Sequence, residues 1–182
     1  MHYLSRFALL FQFLSFVIFL YIEKKNLEKS LFPVSFSYIA FDSFMHLCSY
    51  VILAMPLLRF RNEFIIGAFV IILIDIDHIV KAKSFTIENL LSLGRRPYTH
   101  SLIFVLIISA LVWFFSKNII LAYVIFISLV IHFLKDLIEG KTYIFFPYKY
   151  FYSYSFPAYI YSSLIVMIIN WGMGSMLDIL TF

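Results

Sequence analysis

Charge is scarce in this chain. Asp, Glu, Lys and Arg supply only 13% of its 182 residues, while 63% are hydrophobic and 21% aromatic. With a mean hydropathy of +0.97, that balance excludes an ordinary water-soluble domain. Cysteine is nearly missing as well. The lone Cys48 cannot close an internal disulfide, so it says nothing about an oxidising compartment. Internal repeats, low-complexity tracts and a soluble appendage are also lacking, and the length suits one domain. The net charge of +4 is modest and its basic residues lie between apolar runs. Such a pattern orients a chain in an anionic bilayer and gives no reason to expect a nucleic-acid partner.

What is present is a series of apolar runs of membrane-spanning length, about 18 residues or more. The first, Leu4 to Ile22, has no small-residue cleavage signature and is followed at once by Glu23-Lys24-Lys25, so it reads as a retained anchor. The second, Phe32 to Leu58, begins near Pro33 and carries Asp42 and His46 on one helical face. The third starts at Phe64 and reaches spanning length only by continuing through Asp75, Asp77 and His78 to about Val80. A polar connection to Tyr98 follows. Within it Thr86 to Leu93 is expected to form a short interfacial helix, capped by Thr86, with Glu88 in its first turn and Gly94 ending it.

Thr99 or Pro97 is expected to open a fourth span ending near Phe115, and Lys117-Asn118 to form a tight turn before a fifth from Ile119 to Leu137. Thr142 to Tyr161, crowded with Tyr and Phe and broken by Pro147 and Pro157, reads as an interfacial aromatic loop. A last span runs from Ala158 to about Leu180. The expected fold is therefore an all-α membrane protein, a bundle of about six transmembrane helices. It forms a single transmembrane domain over 1–182, with an anchor helix at 4–22, a core at 32–150 and a final span at 158–180.

Lys and Arg set the expected orientation. One side carries Arg6, Arg59, Arg61 and Lys117. The other carries Lys24, Lys25, Lys29, Lys81, Lys83, Arg95, Arg96, Lys135, Lys141 and Lys149. The second side should be cytoplasmic, with both termini outside. Even without Arg95, Arg96 and Lys135, which have a second reading as site residues, the count is seven against four.

The few ionisable groups gather on this map. Asp75, Asp77 and His78 end a span arriving at the basic side, His100 begins one leaving it, and His132 with Asp136 ends another arriving. Ionisable groups beside apolar spans cost roughly several kcal/mol to desolvate, which makes them functional candidates by default. Asp75 and His78 are three apart, His132 and Asp136 four apart, so each pair shares a helical face. Imidazole with carboxylate suits zinc first, and manganese or iron as alternatives. The expected ligands are His46, Asp75, His78, His100, His132 and Asp136. Asp77 lies opposite Asp75 on a regular helix, so it either orients a histidine or marks unwinding there.

Arginine answers to an anionic substrate. Arg96 can grip a phosphate or carboxylate with a bidentate fork, and Arg95 is a second contact or a headgroup anchor. Were Thr99 to cap the fourth helix, backbone N–H groups near His100 and Ser101 would face the same spot. Arg95, Arg96 and Ser101 are thus the expected substrate contacts, and Arg96 and Asp77 the expected catalytic residues. His2 and Cys48 read as incidental.

Taken in order, His46, Asp75-Ile76-Asp77-His78, Arg96-Pro97-Tyr98-Thr99-His100-Ser101-Leu102 and His132-Phe133-Leu134-Lys135-Asp136 resemble the YdjM-type family, over about Phe44 to Tyr148. Its members are described as inner-membrane, metal-dependent hydrolases. Where that family often has His-Arg-Gly before Thr-His-Ser, this chain has Arg95, Arg96 and Pro97. The resemblance implies a hydrolase of the inner membrane, with its site on the cytoplasmic side. The expected substrate is a phosphoester in a lipid or lipid-linked molecule. Two other functions compete. Arg96-Pro97, His100 and His132-x-x-x-Asp136 are partly similar to metal-independent lipid phosphate phosphatases, whose Pro-Ser-Gly-His element is missing. A divalent-metal transporter would need polar groups leading to both faces, and the opposite half offers only Glu63 and Asp178.

Overall fold

The computed structural model describes residues 2–31, 36–78, 99–139, 142–145 and 151–180. Six α-helices have both ends among them: α1 (His2–Glu28), α2 (Phe36–Leu53), α3 (Arg61–Leu73), α4 (Leu102–Ser116), α5 (Ile119–Glu139) and α6 (Phe156–Leu180). Four of them, α1, α2, α5 and α6, are long and apolar enough to cross a membrane. The all-α membrane reading therefore holds. The other two are shorter than expected. At about 1.5 Å per residue, α3 and α4 fall short of a hydrocarbon core about 30 Å thick.

Helix α5 is the axis of the bundle. Of its apolar window 67% is buried, against 22–28% in α1, α2 and α6, and α2, α3, α4 and α6 all pack on it. Its contact with α3 is fixed by a repeating device. The Ser128 hydroxyl donates to the Gly67 carbonyl at 2.7 Å, and one turn on, His132 Nδ1 meets the Ile71 carbonyl at 3.0 Å. Because both partners advance by four, α3 and α5 run in the same direction. Gly67 is what permits the approach: a Cβ there would overlap the Tyr50 hydroxyl and lie 2.7 Å from Val124.

The second expected run, Phe32 to Leu58, is regular only to Leu53 and then tightens into a 3-10 turn over Met55–Arg59. Pro56 has no N–H to give the Ile52 carbonyl, and Leu57 bonds to Ala54 instead of Leu53. Both orphaned carbonyls are satisfied from other helices. Gln12 Nε2 on α1 donates to Ile52 at 2.6 Å, and Asn170 Nδ2 on α6 donates to Leu53 at 2.9 Å. Gln12 in turn accepts from Trp171 Nε1 at 2.7 Å, and Asn170 from the Tyr123 hydroxyl at 2.8 Å. Helix α1 is thereby stitched to the bundle through a buried amide.

Three local expectations need correction. The fourth helix is capped by Ser101 and not by Thr99: Ser101 is extended (φ −129, ψ 150) and its hydroxyl accepts from the Phe104 N–H. The aromatic stretch is shorter than read, because α6 begins at Phe156 and takes Pro157 into its first turn, where no N–H is missed. Before it, Thr142–Tyr143 and Phe151–Tyr152 form a two-residue antiparallel ladder. Lys135 is no loop charge at all but lies inside α5, fully buried. The turn at Lys117 is as expected, left-handed at φ 55, with Asn118 capping α5 through Leu121. The interfacial helix at Thr86 to Leu93, together with Arg95, Arg96, Pro97 and Pro147, lies outside the described residues.

Candidate metal centre

The cluster begins where α3 loses its regular pitch. Beyond Leu73 the bonds shorten to three residues, Asp75 to Ile72, Asp77 to Ile74 and His78 to Asp75. The helix does depart from regularity around Asp77, by tightening, and Asp77 also lies within hydrogen-bond distance of a histidine, His100. The tightening has two results. It frees the Ile71 carbonyl for His132, and it turns both Asp75 and Asp77 towards His100, whose Nε2 lies 3.3 Å from Asp77 Oδ1 and 4.0 Å from Asp75 Oδ1.

His100 reaches this point from the residue before the Ser101 cap. Ile144, just past the ladder, accepts the Leu102 N–H at 3.1 Å. The other ring nitrogen of His100, Nδ1, is hydrogen-bonded to Asp136 Oδ2. Asp136 sits one turn beyond His132 on α5, and Thr142 donates to its backbone carbonyl at 3.2 Å. A carboxylate behind a histidine in this way fixes the tautomer and turns Nε2 outward as a lone pair, a standard support for a metal ligand.

His132 is fixed still more firmly. A carbonyl can only accept, so Nδ1 holds the proton toward Ile71, and in the neutral ring Nε2 is the acceptor. Yet Nε2 faces two more acceptors, Asp75 Oδ1 at 3.4 Å and Asp136 Oδ2 at 3.3 Å. His46 from α2 stacks on His132 with ring centroids 3.9 Å apart and planes 13° from parallel. Its Nε2 lies 3.5 Å from Asp136 Oδ1 and 3.8 Å from Asp42 Oδ2. Neither ring nitrogen of His46, nor Nε2 of His132, has a hydrogen-bond partner among the described residues, and both rings are buried. Lone pairs and carboxylates facing one another out of water need positive charge between them.

His78 completes the group, edge-on to His100 at 5.1 Å and with Nε2 3.9 Å from Asp75 Oδ1. All six expected ligands, and Asp77, are thus brought into one neighbourhood. Three donor sets have ligand atoms within 4.8 Å of one another: His46, His132 and Asp136; Asp75, His100 and His132; Asp77, His78 and His100. Asp42 touches the edge of the cluster. Ser101 spends its hydroxyl oxygen on the helix cap, and the neighbouring Leu102 N–H is taken, so the helix start is largely self-satisfied. Arg95 and Arg96 belong to residues not described.

A second buried cluster was not expected. Lys135 Nζ is ringed by Asp42 at 2.5 Å, Glu139 at 2.9 Å and Glu23 of α1 at 3.6 Å. Its sequence signal is slight: Glu23 opens a charged stretch after a span, and Lys135 lies four residues before Glu139.

Comparison with known proteins agrees with this architecture. No significant match was found among curated proteins or among solved structures. The family model of the YdjM inner membrane protein matches residues 41–178, from within the first turns of α2 through most of α6, which carries the likeness well past Tyr148 and leaves α1 outside it. With most of its length matched, the chain belongs to the YdjM inner membrane protein family.

Proposed function

We propose that this protein is a membrane-embedded, metal-dependent hydrolase. The observation that carries the reading is the pair of buried, stacked imidazoles, His46 and His132, whose unbonded nitrogens face the carboxylates of Asp75 and Asp136. Nitrogen and oxygen donors in this mixture suit zinc best, then manganese or iron. Bound there, such an ion supplies a water of lowered pKa and screens charge that builds up in a transition state. The protein's own groups supply the rest. Asp136 holds His100 in one tautomer, the Ile71 carbonyl does the same for His132, and Asp77 places a carboxylate beside Nε2 of His100.

The substrate we assign is a phosphoester in a lipid or lipid-linked molecule, with Arg96 and Arg95 as its anionic contacts. A buried site among apolar helices supports a substrate that arrives through the bilayer. The site belongs on the cytoplasmic side of the inner membrane, with the termini outside. Removing buried Lys135 from the basic count leaves nine against four, and the direction stands.

The test is metal analysis of the detergent-purified protein beside His100→Ala and Asp75→Asn. These measurements are paired with a screen of phospholipids and isoprenoid phosphates on chelated and metal-restored protein. The expected result is bound zinc, manganese or iron whose amount both substitutions lower, and hydrolysis that disappears on chelation and returns with metal. A metal-free wild type that still cleaves phosphoesters would replace this reading with histidine-nucleophile chemistry. Metal uptake into proteoliposomes without hydrolysis would replace it with transport.

A further inference from the structure

Resting on that metal-dependent reading, we infer that the centre holds two cations at once, one on His46, His132 and Asp136 and one on Asp77, His78 and His100. The argument starts from the ring nitrogens. His132 has only Nε2 to offer, because Nδ1 is held by Ile71, and His100 has only Nε2, because Nδ1 is held by Asp136. A single ion placed between them, on Asp75, His100 and His132, would use both. It would then leave His46 entirely buried, 0% exposed, with neither ring nitrogen bonded among the described residues, and the Asp77 Oδ2 atom buried and unbonded among them as well. Unsatisfied buried polar groups are costly, of order 1–3 kcal/mol each. The two outer sets share no residue, so both can be filled, and together they use those orphaned groups.

Asp75 and Asp136 join the two sets. Asp75 Oδ1 alone faces His132, His100 and His78, at 3.4, 4.0 and 3.9 Å. It is placed to bridge. Asp136 turns Oδ1 to His46 and Oδ2 to His100, so one carboxylate serves the first set directly and supports the second through a histidine. The charge count points the same way. Against the carboxylates of Asp75, Asp77 and Asp136, one divalent ion leaves a net negative centre, which would repel a phosphoester. Two leave it net positive. Pairs of metal ions clamping the two oxygens of a phosphoryl displacement use charge in that manner.

Titration of metal-stripped protein in detergent with Zn²⁺ or Mn²⁺, read by elemental analysis after desalting, tests this without any assay of activity. About two ions per chain are expected in the wild type. His46→Ala and His78→Ala should each retain about one, and Asp136→Asn should lose affinity at both positions. Mn²⁺ resonance spectra of the wild type add a readout that no substitution can confuse, since spin coupling should appear only as the second equivalent binds. One ion per chain, uncoupled, would overturn the two-ion centre and leave the metal-dependent reading in place. No ion at all would overturn both.

Discussion

Two buried polar clusters meet on the last turns of α5, and their difference is instructive. Lys135 and Asp136 are neighbours in sequence, yet Lys135 belongs to a group that contains its own cation, whereas Asp136 belongs to one whose partners described here are histidine nitrogens. Asp42 touches both, 2.5 Å from Lys135 and 3.8 Å from His46. The lysine cluster joins α1, α2 and α5 around one ammonium that faces three carboxylates. In the histidine cluster the nitrogens of His46 and the Nε2 of His132 have no hydrogen-bond partner among the described residues. The first arrangement describes a structural joint, the second a receptacle.

That contrast can be broken most forcefully at Lys135. Lys135→Met takes the ammonium away from Asp42, Glu139 and Glu23, and breaking a buried ion pair from one side costs roughly 3–5 kcal/mol. Thermal unfolding in detergent should show this loss equally with and without metal. If added metal restored the variant, the two clusters would not be separate in role. Chelation of the wild type is the converse experiment. At free metal a hundredfold above Kd, binding contributes about 2.7 kcal/mol, so a stripped sample should unfold earlier by that amount. A melting curve indifferent to chelator would remove the distinction drawn here. The smallest effect is expected at Ser101→Ala. Losing that cap should cost about 1 kcal/mol, range 0.5–2, and loosen the approach of His100 to Asp136. Hydrogen exchange at the start of α4 would detect it, and unchanged protection there would locate His100 by other means.

Much of the histidine cluster was legible from sequence, because sharing a helical face imposes spacing: three between Asp75 and His78, four between His132 and Asp136. Such intervals survive without knowledge of tertiary contacts. The lysine cluster was not legible for the opposite reason. Glu23 reads as the polar end of a span and Lys135 as a topological charge, and only the packing of α1 beside α2 brings them to 3.6 Å. Helix ends fared in between. Hydropathy carries the third run to about Val80, but nothing in an apolar pattern says that the pitch tightens after Leu73, and it is this change that aims Asp77 at His100. Thr99 and Ser101 are chemically similar caps two residues apart. The choice was made by the extended backbone of Ser101, with the Ile144 carbonyl, distant in sequence, holding the Leu102 N–H that follows.

Gln12 lies outside the stretch shared with the family, yet it supplies the donor that Pro56 denies to Ile52. Trimming the protein to residue 41 would therefore strip an amide from a carbonyl deep among hydrocarbon and, with it, the Glu23 carboxylate from Lys135. Reconstitution of the shared region by itself should give a looser vessel than the full chain, and supplying α1 as a separate peptide should tighten it again.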